Sequence, residues 1–172
     1  MAKILIVYDS KSGNTEKMAH EVAEGAKMDG EVEVLVKKVE ETSLEDLTHT
    51  DGIIMGSPTY YGQMSSKLKA LIDTTVKIHG KLEGKIGGAF TSAGGTATGA
   101  ETAILSILYA MLVHGMIVQG RSDNKHYGAA CVGPPRDNDV KNCRELGHRI
   151  GTLVKRLASS TPIESPGKVR KK

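Results

Sequence analysis

Ser10, Lys11, Ser12, Gly13, Asn14 and Thr15 stand between an apolar run and an amphipathic one, and their types suit a bound anion. Ile4-Leu5-Ile6-Val7 reads as a buried strand, while Met18, Ala19, Val22, Ala23 and Ala26 recur at helical spacing over Thr15 to Met28. The loop therefore leaves the carboxyl end of a strand and opens a helix. There the unpaired N–H groups of the first helical turn, the helix dipole and the hydroxyls of Ser10, Ser12 and Thr15 can converge on a phosphate. Gly13 lets the backbone come close. Ser, Asn and Thr also cap ordinary helices, but the S-x-S-G-N-T spacing favours the anion. The segment lacks the lysine of G-x-x-x-x-G-K-[ST] and lacks G-x-G-x-x-G, which argues against a nucleoside triphosphate with magnesium and against a pyrophosphate in the usual dinucleotide mode. A monophosphate held by neutral donors remains.

Two further segments have unusual chemistry. In Gly56-Ser57-Pro58-Thr59-Tyr60-Tyr61-Gly62-Gln63-Met64-Ser65, Pro58 stiffens a turn, Gly62 frees the backbone, and two adjacent tyrosines offer flat amphipathic surface. Tyrosine supplies five of the six aromatic residues in the chain, so a pair of them in one loop is informative. In Thr91-Ser92-Ala93-Gly94-Gly95-Thr96-Ala97-Thr98-Gly99-Ala100-Glu101, small residues let backbone N–H groups approach a ligand. A mobile Gly/Thr loop would read the same way, and the coincidence of three such loops is what carries weight. Other constellations fall away. Cys143 and His148 are five apart on a predicted helix, about 140° around its axis, so with His126 and Cys131 they make no zinc site. No G-x-S-x-G elbow is present.

The first loop closely resembles the phosphate loop of the flavodoxin-like proteins, which hold the 5′-phosphate of flavin mononucleotide (FMN). The resemblance runs over roughly residues 3 to 158. G-S-P-T-Y-Y-G-x-M-S is similar to the flavin loop of the NAD(P)H:quinone oxidoreductases of the tryptophan-repressor-binding-protein type. Ser/Thr-Gly-Gly-rich segments ending in Glu occupy the place of the third loop in that family.

The elements that must position these loops alternate. After the first helix, Val32, Val34 and Val36 alternate with charged residues over Glu31 to Val39, as in a strand near a sheet edge. A short helix near Ser43 to Leu47, a strand over Asp51 to Gly56, a helix over Ser65 to Ile78 and a strand over Lys85 to Phe90 follow. A helix over Ala100 to His114, a short strand at Met116 to Val118, an irregular stretch from Gly120 to Arg136 and a last helix from Asp137 complete the pattern. Alternation with right-handed crossovers gives an α/β, doubly wound parallel sheet in one domain, residues 1–158. With five strands, the flavodoxin-like order is 2-1-3-4-5, and a ligand lies beyond the carboxyl ends of the strands, where the loops after strands one, three and four meet. Residues 159–172 form a polar, basic tail, read as a frayed end.

The chain has 172 residues, a formal charge of +3 and two cysteines, which make no disulfide framework. No membrane-length apolar stretch and no signal-peptide pattern is visible, so a cytoplasmic protein is expected. The basic tail has no aromatic interleaving, so nucleic acid is not an expected partner. Ala103 to Val113 is apolar nearly all the way round, which predicts a second buried face and a homo-oligomer, dimer or tetramer.

The resemblance implies an FMN-dependent oxidoreductase. It would take a hydride from NADH or NADPH and pass two electrons to a quinone or similar acceptor by ping-pong turnover. Ser10, Lys11, Ser12, Gly13, Asn14 and Thr15 would hold the phosphate; Pro58, Thr59, Tyr60, Tyr61 and Gly62 would line the ring; Ser92, Ala93, Gly94 and Gly95 would close the other side. His114, in a His-Gly-Met context, would approach the flavin of a neighbouring subunit as the catalytic hydrogen-bond donor. No metal is implied. Tyr60 stands where these enzymes commonly carry Arg, and Ile78-His79 where they carry Trp. An FMN electron carrier docking to redox proteins is the alternative, although carriers of this fold are typically strongly acidic and often flank the flavin with Trp, and this chain is weakly basic and has no Trp.

Overall fold

The computed structural model describes residues 1–159, so the expected tail lies outside the described residues from position 160 onward. Ile4, Leu5, Ile6 and Val7 have no exposed surface, because strand β1 (Ala2–Tyr8) lies between two neighbours and is covered on both faces. The other strands are β2 (Val32–Lys38), β3 (Gly52–Pro58), β4 (Ile86–Ala93), β5 (Ile117–Val118) and β6 (Ala129–Val132). All pairings are parallel and the order is β2-β1-β3-β4-β5. The alternating β2 is an edge strand, as its exposed charges require.

Five helices cover the faces: α1 (Asn14–Lys27), α2 (Leu44–Thr48), α3 (Ser66–Thr74), α4 (Ala100–Val113) and α5 (Asp137–Ala158). Alternate residues of the strands supply two cores. Ile4, Ile6, Ile54 and Phe90 pack with Met18 and Val22 of α1 and Leu146 and Ile150 of α5. Leu5, Val7, Ile53 and Met55 pack with Leu68 of α3 and Ile104, Ile107 and Met111 of α4. On the first face α1 and α5 touch backbone to backbone. A Cβ on Gly147 would stand 1.9 Å from the Val22 carbonyl oxygen, and one on Gly25 would stand 2.0 Å from that of Arg144.

The structure adds a strand to the five expected. Ala129–Val132, inside the stretch read as irregular, pairs with Phe90–Ala93 of β4, while Ile117 and Val118 pair with Ile86 and Gly87. Two short strands thus share one edge of β4, and residues 119–128 leave the sheet between them. A four-residue strand carries too little periodicity to be seen. Strand β4 also runs to Ala93, three residues past the expected end. The helix predicted over Ser65 to Ile78 ends at Thr74 and finishes as a 3-10 turn.

Candidate functional site

Parallel strands carry the loops after β1, β3 and β4 to one margin of the sheet, and there they enclose a cavity of about 410 Å³. Lys11, Ser12 and Asn14 line it from the first loop, Pro58, Thr59 and Tyr60 from the second, and Ser92, Ala93 and Gly94 from the third. Gly13 is in the left-handed region at φ 86°, where a side chain would be strained, and its N–H donates to Ser10 Oγ at 3.1 Å. A Cβ at Gly13 or Gly94 would meet nothing within 4 Å, so the backbone there faces open space. Thr15 is buried at the first turn of α1, its hydroxyl 2.8 Å from that of Ser92. The first and third loops are therefore joined beneath the cavity.

The second loop is equally tied. Thr59 N donates to the Ser92 carbonyl at 2.7 Å, and the Thr59 and Thr91 hydroxyls lie 2.8 Å apart. Ser57 Oγ accepts from Ser65 N at 2.7 Å and fixes the start of α3. Tyr60 and Gln63 exchange backbone hydrogen bonds of 3.0 and 2.9 Å around Tyr61 and Gly62, whose φ values are 51° and 72°. Two successive positive φ values make this a tight hairpin turn of the primed kind. At its tip Tyr61 is fully exposed and, with Gly62, does not line the cavity, whereas Tyr60 does. The alternation of a two-residue turn sends adjacent tyrosines different ways. Gly95 faces a second hollow on the other side of its loop.

Beside the first loop, the Tyr8 hydroxyl donates to Glu16 in the first turn of α1 at 2.6 Å. That hydrogen bond and Lys38 hold the Glu16 carboxyl below the usual carboxylate range, while burial and Glu16 push the Tyr8 hydroxyl up. The cavity itself presents backbone N–H groups and hydroxyls, with exposed Lys11 as its one charged lining residue. One lining residue was invisible to loop-by-loop reading. Gly133, after β6, closes the cavity, and only the Gly-Pro-Pro punctuation at 133–135 marks that turn in the sequence.

His114 is elsewhere. Helix α4 starts after the loop that follows β4, its first residues lining the second hollow, and runs for 14 residues, about 21 Å, so the histidine at its end belongs to the opposite pole of the same chain. Its Nε2 lies 2.8 Å from Thr75 Oγ1, and its Nδ1 is buried without a hydrogen-bond partner. Burial, and then His79, lowers its pKa. Burial pushes the Cys131 thiol up to about 11 and the Cys143 thiol up to about 12, so both stay protonated. Among the described residues no group of three His, Cys, Asp or Glu is placed to hold a metal.

A doubly wound sheet of this order, with a cavity walled by the loops after its first, third and fourth strands, is a flavodoxin-like domain. The profile of the NADPH-dependent FMN reductase family matches residues 37–124. A protein named flavodoxin from Aquifex aeolicus is 41% identical over 90% of this chain and 88% of its own length. One named NAD(P)H dehydrogenase (quinone) from Archaeoglobus fulgidus is 36% identical over 91% of this chain and all of its own. A solved flavodoxin described as WrbA-like, from Agrobacterium tumefaciens, shares the fold with a TM-score of 0.76 at 23% identity, over 91% of this chain and 99% of that one. The chain belongs to the NADPH-dependent FMN reductase family, on a flavodoxin-like fold.

Proposed function

We propose that the protein is an FMN-dependent NAD(P)H:quinone oxidoreductase. The observation that carries this reading is the single cavity walled by three loops rich in uncharged donors. Its 410 Å³ lies within the range of cofactor sites, and the open backbone at Gly13 and Gly94 suits a ligand that needs close main-chain approach. In this reading the hydroxyls of Ser10, Ser12 and Thr15 and the N–H groups at the start of α1 hold the phosphate. Pro58, Thr59 and Tyr60 support one side of the ring, and Ser92 to Gly94 the other. When bound, the flavin supplies the redox chemistry, accepting a hydride from NAD(P)H and releasing two electrons to a quinone. The chain orients it and keeps one ring face open to donor and acceptor in turn.

Self-association is part of the proposal. Tyr109, Leu112 and Val113 of α4 are more than half exposed, and the unpartnered Nδ1 of His114 lies beside them. A second copy covering this end of α4 would bury the apolar face. It would also bring His114 towards a partner's flavin. No helix among the described residues is long and apolar enough to cross a membrane, and a cytoplasmic location is proposed.

Titration with FMN, followed by flavin absorbance, tests the shared premise: saturable binding at micromolar concentration is expected. Steady-state oxidation of NADH or NADPH with benzoquinone then separates enzyme from carrier. The flavodoxin named among the relatives favours an electron carrier as the second reading, and turnover no faster than free FMN would select it.

A further inference from the structure

The second hollow, also about 410 Å³, lies across the loop after β4 from the cofactor cavity. Gly94 lines one and Gly95 the other, so the partition between them is glycine backbone. The loop before α5 is divided in the same way, with Gly133 in the first cavity and Arg136 in the second. The chemistry of this second cavity is different. Lys125 and Arg136 both reach it, and neither forms an ion pair among the described residues. Lys125 comes from the excursion between β5 and β6, has φ 50°, and makes only a 3.5 Å contact to the Ala130 carbonyl. Of the two carboxylates present, Asp139 is engaged, accepting from Arg136 N at 3.1 Å at the start of α5. Glu101, exposed in the first turn of α4, is in no ion pair. Val132, 44% exposed, leaves an apolar side chain at this lining.

Two uncommitted cations, one uncommitted carboxylate and an apolar floor form a set that matches one ligand class. Guanidinium and ammonium groups grip phosphate oxygens, a carboxylate accepts from the hydroxyls of a ribose, and the floor takes a purine. We propose that this cavity binds the adenosine diphosphate half of a nicotinamide dinucleotide, which crosses the glycine partition to reach the flavin cavity. The proposal rests on the reductase reading. It also fixes a preference: Glu101 at the ribose repels a 2′-phosphate, so NADH is the donor.

The test uses the FMN-loaded protein with ADP-ribose as the calorimetric probe, and NADH and NADPH as substrates. Arg136→Gln and Lys125→Gln should each weaken ADP-ribose about tenfold, the loss of one charge-assisted contact, and raise the KM for NADH similarly while FMN affinity stays unchanged. Glu101→Gln should shrink the NADH preference over NADPH. ADP-ribose binding that is absent, or indifferent to both cation variants, overturns the site. Turnover of NADH with an unaltered KM in those variants also overturns it and leaves the reductase reading standing. No turnover, with ADP-ribose still bound and still weakened by the variants, keeps the site and removes the reductase.

Discussion

At the scale of single residues, the buried hydroxyl pair of Thr15 and Ser92 joins two loops that are 77 positions apart. Thr15→Val leaves the Ser92 hydroxyl without its partner at the floor of the site. A loss of about 1–3 kcal/mol in urea unfolding is expected, with FMN affinity down about tenfold. Ser92→Ala should do much the same, and the double variant should cost less than the sum, because both singles break one bond. Strict additivity would mean that the two hydroxyls act independently. His114 yields a pH dependence. Its pKa is lowered in the folded chain, chiefly by burial, whereas the unfolded chain takes the proton near pH 6.5. Below about that pH the unfolded state therefore binds more protons and stability falls as the solution is acidified. In His114→Gln the urea midpoint should drop less steeply between about pH 7 and pH 5.5; an unchanged slope would remove His114 as a cause.

At the scale of elements, the crossing of α1 and α5 depends on two positions with no side chain. Alanine at Gly147 would meet the Val22 carbonyl at 1.9 Å, and at Gly25 the Arg144 carbonyl at 2.0 Å. Backbone cannot yield as a side-chain tip can. Either substitution should destabilise by about 1–3 kcal/mol or more despite the higher helix propensity of alanine, and a stability equal to wild type would show that the helices separate freely. Neither glycine drew notice in the sequence, since a glycine inside a helix pattern reads only as a weak point until its crossing partner is known. The three loops were legible because each combines unusual residue types with a fixed place after a strand. Ala129–Val132 was not, because four residues paired to a distant strand leave no local period. Nor was the separation of Tyr60 from Tyr61, which turn geometry decides and composition does not.

At the scale of the whole molecule, the poles differ in character: loops with polar donors at one, and Tyr109, Leu112, Val113 and the half-paired His114 at the other. The all-round apolarity of Ala103 to Val113 predicts a second buried face, and in the single chain α4 leaves Tyr109, Leu112 and Val113 exposed. Val113→Glu places a charge where a second copy would sit. It should lower the mass measured by light scattering to that of one chain while leaving FMN binding intact, and a native mass already equal to one chain would end the assembly proposal. Strand β4 stands between the poles, wholly buried, with β3 along one side and the split edge of β5 and β6 along the other. Because the loops that build the cavity hang from β3 and β4, deuterium should enter the amides of Ile53–Met55 and Ala89–Phe90 only through global opening, while Ile117 and residues 119–128 exchange in seconds to minutes. The outer margin can then breathe, admitting and releasing a visitor there, without slackening the frame that grips the flavin.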